Sequence, residues 1–540
     1  MSQLVEAPNL EVSSEARRRR TFAVISHPDA GKSTLTEALL LHARAITTAG
    51  AVHGKAGRRG TVSDYMAMEQ ARGISITSAA IQFEYDDTVI NLVDTPGHAD
   101  FSEDTFRVLS AVDAAVMLVD ASKGLEAQTM KLFRVCQQRG LPVITVINKW
   151  DRPGLSALEL MDEIRDRTGL VPTPLTWPVG EAGDFRGVLD RHTHEFIRFT
   201  RTPGGATVST AEHLPASAAA AEEGDAWVTA AEESELLAAE GQIHDQSTFL
   251  AGTTTPVLFS AAVLNFGVHQ LLDVLVQSAP PAEARPDSTG RRRPVDTEFS
   301  GFVFKVQSGM SASHRDHVAF VRVCSGQFRR GMIVTHAATG RPFATKYAQQ
   351  FFGGDRETID TAWPGDVVGL INASALRVGD SLFEGEPVEY PRLPMFSPEH
   401  FRVVRAANSS KHKQFRRGIE QLDHEGVIQV MRSELRGDQA PILGAVGPMQ
   451  FEVVEDRMAN DFGSPIRFEE LPYQVARITT PADAAVLEKE RQVEVLTRSD
   501  GTLLALFSTQ WRLQAVTRAH PDLVLLDLAD TGAASPRANA

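Results

Sequence analysis

Four short runs constrain this chain more than any other feature: Thr21 to Ser26 (TFAVIS), Val89 to Asp94 (VINLVD), Ala114 to Asp120 (AAVMLVD) and Pro142 to Asn148 (PVITVIN). Each is nearly all apolar, and each is followed by a polar loop and then a stretch with helical spacing. Strands that are apolar on both faces belong inside a parallel sheet covered by helices on each side. The pattern predicts a doubly wound α/β domain over residues 21–280.

The first run leads through Ser26 to Ser33, SHPDAGKS, into the helical stretch STLTEALLLHA. This is the phosphate-loop pattern G-x-x-x-x-G-K-[ST] with Ser26 in place of the first glycine. The context outweighs that departure, because a loop from a strand into a helix turns backbone N–H groups and a helix N-terminus toward an anion. The first position only has to turn the chain, which serine tolerates. His27, Pro28, Asp29 and Ala30 make the body of the loop. Gly31 lets the backbone approach closely, Lys32 reaches the β and γ phosphates, and Ser33 offers its hydroxyl to Mg²⁺.

The second run ends in Asp94 and continues through Thr95 and Pro96 to Gly97 and His98. A carboxylate at the carboxyl end of a strand can hold the Mg²⁺ shell, and the Gly97 N–H can sense a γ-phosphate. Taken alone, D-x-P-G is an ordinary turn; downstream of a phosphate loop it is expected to belong to the same site. Lys32, Gly97 and His98 are the expected catalytic residues.

The fourth run names the base, since it delivers Asn148, Lys149, Trp150 and Asp151 at a strand end. The Asp151 carboxylate accepts two hydrogen bonds that guanine donates and adenine does not, while Lys149 lies along the base plane. Paired polar contacts of this kind reject the wrong base by about 10⁴-fold. The expected ligands are therefore GTP and GDP with Mg²⁺. Ser260 and Ala261, in FSAAVLNFG, are expected to bring backbone N–H groups to the guanine O6. The segment Met68 to Thr77 (MEQARGISIT) should complete the Mg²⁺ shell, with Ser75 the first candidate and Thr77 the second.

At 540 residues the chain exceeds one core, and roughly 100 to 200 residues per domain predicts about three or four. The expected order is a flexible N-terminal segment (1–20), the nucleotide domain (21–280) with an Ala- and Glu-rich insertion at about 160–250, and a linker (281–296). Beyond them, a change to period 2 with Gly-marked turns predicts an antiparallel β-barrel over 297–385. A mixture of strands and helices predicts an α+β domain over 395–530, with Phe415, Ile419 and Leu422 on one helix face and Phe451, Val454 and Met458 on another. The last residues, 531–540, read as a disordered tail.

A formal charge of -15 argues against general electrostatic attachment to nucleic acid. Three local basic clusters, Arg17 to Arg20, Arg291 to Arg293 and Lys411 to Arg417, are either polyanion contacts or solvated faces. Cys136 and Cys324 sit in apolar surroundings and are expected to be buried thiols. No apolar run approaches the length that spans a bilayer. A cytoplasmic monomer is expected, with no membrane or DNA partner.

Together SHPDAGKS, RGISIT, DTPGH and NKWD resemble the translational GTPases. SDYMAMEQARGISITSAAIQFEY, DTPGHADFSEDTFRVLSAVDAAVML, NFGVHQLLDVLV and GFVFKVQSGMSASHRDHVAFVRV look more specifically like the class II release factors of that family, over about residues 20 to 528. The resemblance implies a G domain, an elongation-factor-type barrel and a third domain, acting with the ribosome on class I release factors after peptide release. It also implies that His98 acts at the attacking water. Two departures stand out: Ser75 occupies a place where many relatives have threonine, and residues 205–240 do not follow the family closely. A translocase of the elongation factor G kind, and a GTP-gated binding module with incidental hydrolysis, are the competing readings.

Overall fold

In the computed structural model, the described residues are 9–46, 80–96, 99–201, 208–308, 317–352, 355–391, 393, 396–433, 436 and 440–528. The tail expected at 531–540 lies outside them.

The first domain is built on a seven-stranded sheet. Its strands are β1 (Arg19–Ser26), β2 (Ala80–Tyr85), β3 (Thr88–Asp94), β4 (Ala114–Asp120), β5 (Val143–Asn148), β6 (Val171–Pro174) and, after four strands of an insertion, β11 (Thr254–Phe259). Their order across the sheet is β2-β3-β1-β4-β5-β11-β6, and every ladder is parallel except β2 with β3. The four apolar runs are thus its central strands, and β3, β4 and β5 are buried along their whole lengths. Helices Lys32–His42, Ser102–Ala111, Ala127–Gln138, Ala157–Thr168 and Val268–Ser278 complete the α/β arrangement.

The insertion leaves this sheet later than the composition suggested. Helix Ala157–Thr168 and β6 still belong to the α/β domain, since β6 pairs with β11. The departure begins with β7 (Thr176–Val179), which joins β8 (Gly187–Asp190), β9 (Phe196–Phe199) and β10 (Ala211–Leu214) in a four-stranded antiparallel sheet. Helices Ala216–Glu223 and Asp225–Ala239 follow, with Trp227 packed edge-on against Phe196.

Downstream lies a curled eight-stranded antiparallel sheet centred on Ser300–Ser308 and His317–Ser325. The last domain carries a seven-stranded antiparallel sheet and helices His412–His424 and Met449–Asn460. Phe415, Ile419, Leu422, Phe451, Val454 and Met458 all enter one apolar cluster of that domain, as the helical spacing requires.

The segment expected to be flexible and the segment expected to be a linker both carry secondary structure. Residues 10–17 form a helix whose Val12 and Ala16 are buried, so the flexible segment expected at 1–20 is not flexible there. Two of the arginines that follow are engaged inside the protein. Arg19 Nε donates to Asp366 Oδ1 at 2.8 Å, and Arg20 donates to the carbonyls of Arg17 and Val276. The linker holds a small hairpin, Arg285–Pro286 against Arg292–Arg293, in which Arg285 bonds the Val112 carbonyl and Asp113. Arg293 is buried on Ser325. Arg291 and Arg292 stay exposed, as do most of the charges of Lys411 to Arg417.

Two carboxylates fasten the barrel to the α/β domain: Asp113 of the α/β domain, which accepts from Arg322 Nη2, and Asp366 of the barrel. Asp366 Oδ1 accepts from Arg19, from Gln82 Nε2 at 2.8 Å and from Asn91 Nδ2 at 3.2 Å. Beside it the Gly365 carbonyl accepts the Thr21 hydroxyl at 2.7 Å and Arg322 Nη1 at 2.7 Å. Both cysteines are buried free thiols.

Candidate nucleotide site

The carboxyl ends of β1, β3, β4, β5 and β11 converge, which is where open α/β sheets bind ligands. Ser26 is the last residue of β1, fully buried, and its backbone does not take the left-handed conformation that would demand glycine. Gly31 does take it, with φ 100°, and a Cβ there would stand 2.5 Å from Asn148 Nδ2. The second glycine of the pattern is therefore fixed twice over, by backbone and by space, whereas the first is free to be serine.

Lys32 opens the helix after the loop. Its Nζ is buried 3.2 Å from Asp94 Oδ1 and makes no hydrogen bond, while Ser26 Oγ and Thr36 Oγ1 are also buried without one. Buried donors in this state fit an anion placed at the loop. Asp94 Oδ1 also accepts the Thr95 N–H at 2.9 Å, and the Thr95 hydroxyl donates to the Val24 carbonyl at 2.6 Å, tying β3 to β1. The hydroxyl of Ser33 and the carboxylate of Asp94 are the hard oxygen donors that Mg²⁺ takes. Pro96 accepts from the Thr105 hydroxyl at 3.4 Å. Gly97, His98, Ser75 and Thr77 lie outside the described residues.

Asn148 holds three loops together. Its Nδ2 donates to the Ala30 carbonyl at 2.9 Å, and its Oδ1 accepts from Ser260 Oγ at 3.2 Å and from the Ala262 N–H at 3.0 Å. Lys149, with φ 65°, folds back so that its Nζ bonds the Asp29 carbonyl and, at 2.7 Å, Asp120 Oδ2. Asp120 is a participant the sequence reading passed over. Burial favours its neutral form, yet Lys149 and the N–H and hydroxyl of Ser122 outweigh burial and hold the carboxyl below its ordinary range. Its signal was its place: it ends β4 directly opposite Asn148. Asp151 is half-buried, and its Oδ1 is enclosed without a hydrogen-bond partner.

Two expectations need correction. Trp150 turns its indole into the core, packing edge-on against Phe259 at 4.8 Å and donating Nε1–H to the Gly180 carbonyl at 3.1 Å. Its backbone N–H reaches the Ser260 carbonyl, and in that way alone it joins the loops. The N–H groups of Ser260 and Ala261 are both engaged elsewhere, with the Ile147 carbonyl at 2.8 Å and the Phe266 carbonyl at 3.1 Å. The next one along, the Ala262 N–H, is engaged as well, by Asn148 Oδ1 at 3.0 Å. His27 faces away from the loop centre, its Nε2 3.3 Å from Glu126 Oε1.

A phosphate loop, a strand-end carboxylate and an N-K-x-D strand end on this sheet, followed by a curled β domain, define a GTPase of the translation-factor class. Residues 17–281 match the Elongation factor Tu GTP binding domain family, residues 298–385 the Elongation factor G domain 2 family, and residues 390–517 the Class II release factor RF3, C-terminal domain family. The chain is 45% identical over 531 residues to peptide chain release factor 3 of Trichodesmium erythraeum, covering 97% of each. It is 45% identical to that of Synechococcus elongatus, covering 97% of this chain and 95% of the relative, and 44% identical to that of Gloeobacter violaceus, covering 96% and 99%. A crystal structure from Thermus thermophilus shares the fold with a TM-score of 0.67 at 21% identity, over 85% of this chain and 69% of that one. The chain belongs to the peptide chain release factor 3 family. It is a guanine-nucleotide-binding GTPase of translation termination. Among the described residues no helix is long and apolar enough to cross a membrane.

Proposed function

We propose that this chain is a ribosome-stimulated GTPase that drives class I release factors off the ribosome after peptide release, working as a monomer in the cytoplasm. The observation that carries the site reading is Asn148. One carboxamide fixes the phosphate loop at Ala30 and the β11 loop at Ser260 and Ala262, beside an Asp151 oxygen left unpaired. A guanine donating from N1 and its amine satisfies that carboxylate, and the Ala262 N–H is placed to serve O6 once Asn148 turns to the base.

The phosphates lie on the N–H groups of residues 27–33, with Lys32 offsetting charge that builds on the γ-phosphoryl oxygens. Mg²⁺ held by Ser33, Asp94 and Ser75 supplies further neutralisation of that charge when bound. The Gly97 N–H senses the γ-phosphate, and His98 orients the attacking water. The exposed basic run Lys411 to Arg417 offers ribosomal RNA a local contact that the overall negative charge does not forbid.

The test is GTP hydrolysis by the purified protein, alone and with ribosomes stalled at a stop codon, while departure of a labelled class I release factor is followed. Stimulated hydrolysis with faster departure is expected. Stimulation without departure points to a different translational step, and no stimulation leaves a GTP-gated binding module.

A further inference from the structure

In the sequence β3 leads to Gly97 and His98, and the residues directly after them reach the third domain. Asp100 stands two residues after His98. Its Oδ2 accepts the backbone N–H of Met449 at 2.7 Å, some 349 positions away. Met449 is the first residue of the helix Met449–Asn460, whose N-cap, Pro448, has no side chain able to accept a hydrogen bond. A helix start leaves N–H groups without intrahelical partners and prefers a carboxylate. Here the G domain supplies one to a helix of another domain.

The third domain is shaped to receive it. A Cβ at Gly447 would stand 2.1 Å from Asp100 Cγ and within 2.5 Å of both its oxygens, so any larger residue expels the carboxylate. The neighbouring contact repeats the arrangement. A Cβ at Gly426 would meet Arg107 Nη1 at 2.3 Å, and Arg107 is itself held by Glu103 at 2.7 Å. Between these two points Phe101 and Val453 are buried together, with Val427 and Met449 packed on them. Two glycines on one side, a carboxylate and a guanidinium on the other, and an apolar plug between them fix one docking arrangement.

We infer that Asp100 is a positioning residue for GTP hydrolysis. By capping the helix Met449–Asn460 it makes the third domain the anchor of the loop that delivers Gly97 and His98. This rests on the reading of His98 as the residue that orients water. Asp100 stands only three positions after Gly97, and a misplacement of about 1 Å in a reacting group can cost on the order of 100-fold in rate. The anchor lies in a different domain from the nucleotide, so movement of the third domain against the G domain reaches the reacting end of the site through this bond.

The experiment is single-turnover GTP hydrolysis, with and without ribosomes, for the wild type, Asp100→Ala, Asp100→Asn and Gly447→Ala, with affinity for a fluorescent GDP analogue measured on each. Both alanine variants are expected to lose about tenfold or more in rate while GDP affinity stays within about twofold, and Asp100→Asn, which keeps an acceptor oxygen, is expected to recover most of the rate. Gly447→Ala is the discriminating variant, because it changes no residue of the G domain and acts there only by crowding the Asp100 carboxylate. A wild-type rate in either alanine variant overturns the inference, as does a parallel loss of rate and GDP affinity, which would mark a structural lesion. A wild type that ribosomes fail to stimulate sinks the functional reading instead, and the slower intrinsic rates still decide the role of Asp100.

Discussion

Lys32 Nζ and Asp94 Oδ1 face each other at 3.2 Å, and both side chains are buried. Each is the other's compensation when no phosphate is present. A buried charge left without its partner costs about 3 to 5 kcal/mol. Lys32→Ala is therefore expected to do two things: to destabilise the nucleotide-free protein, and to remove the cation from the phosphates. A loss of about 3 kcal/mol of binding corresponds to roughly 100-fold in GTP affinity. Urea midpoints without nucleotide, together with binding of a fluorescent GTP analogue, check both. Unchanged affinity would remove Lys32 from the phosphate site.

In the proposed reading, the enclosed, unpartnered Oδ1 of Asp151 selects the base. In Asp151→Asn one of the two acceptor positions becomes a donor, which faces a donor on guanine. The affinity for GTP should fall by on the order of 10⁴-fold, with no comparable loss of stability, because nothing inside the protein depends on that oxygen. Titration of GTP and of xanthosine triphosphate, whose carbonyl can accept from the new amide, is the appropriate measurement. Equal GTP affinity in variant and wild type would overturn the assignment.

What the sequence allowed and what it hid divide along a physical line. That Lys32, Asp94, Asn148 and Asp151 stand at one end of the sheet could be read because each lies at or just after the end of an apolar strand. The engagement of the Ala261 N–H was hidden, because it depends on a two-way bridge between Ala261 and Phe266 that no local pattern announces. The direction of Trp150 follows from the left-handed backbone at Lys149, an unusual conformation for a lysine that no periodicity announces. The arginines at 17–20 read as a polyanion contact or a solvated face because the partner of Arg19, Asp366, is 347 positions away.

Asp120 gives the site a pH signature. Burial works to raise its carboxyl, but Lys149 and Ser122 together hold it below the ordinary value of 3.8. A carboxyl depressed in the folded state binds fewer protons there than in the unfolded chain. Its contribution is therefore fully present above the unfolded value and is lost as pH falls through the folded one. Lys149→Met removes the chief partner. Wild type and variant should then differ in urea midpoint by a steady amount from about pH 8 to about pH 5, and the gap should close below about pH 4. A gap that persisted unchanged into acid would mean that Lys149 stabilises the fold by packing alone.

Asp366 tests whether the barrel and the G domain are held by polar chemistry or by apolar contact. Its Oδ1 receives Arg19, Gln82 and Asn91 from the G domain, and its Oδ2 accepts the Trp363 N–H at 2.8 Å within its own loop. Around it, one apolar cluster runs from β1 and β4 into Phe302, Phe304 and Phe320 of the barrel. Asp366→Ala strips the acceptor from three donors at once, two of them on the buried Arg19 and Asn91, and leaves the Arg19 guanidinium only Glu15, at 2.6 Å, as a counter-charge. Truncating one partner of a buried ion pair costs about 3 to 5 kcal/mol. The apolar cluster is left intact, so the two domains should stay associated while the unfolding midpoint drops. Asp366→Asn keeps an acceptor and should fall between wild type and alanine. The nucleotide loops are fixed by Asn148 rather than by this carboxylate, so GDP affinity should hold within about threefold, an energy of about 0.7 kcal/mol. A large loss of affinity would show instead that the barrel helps to set the geometry of the phosphate loop through β1.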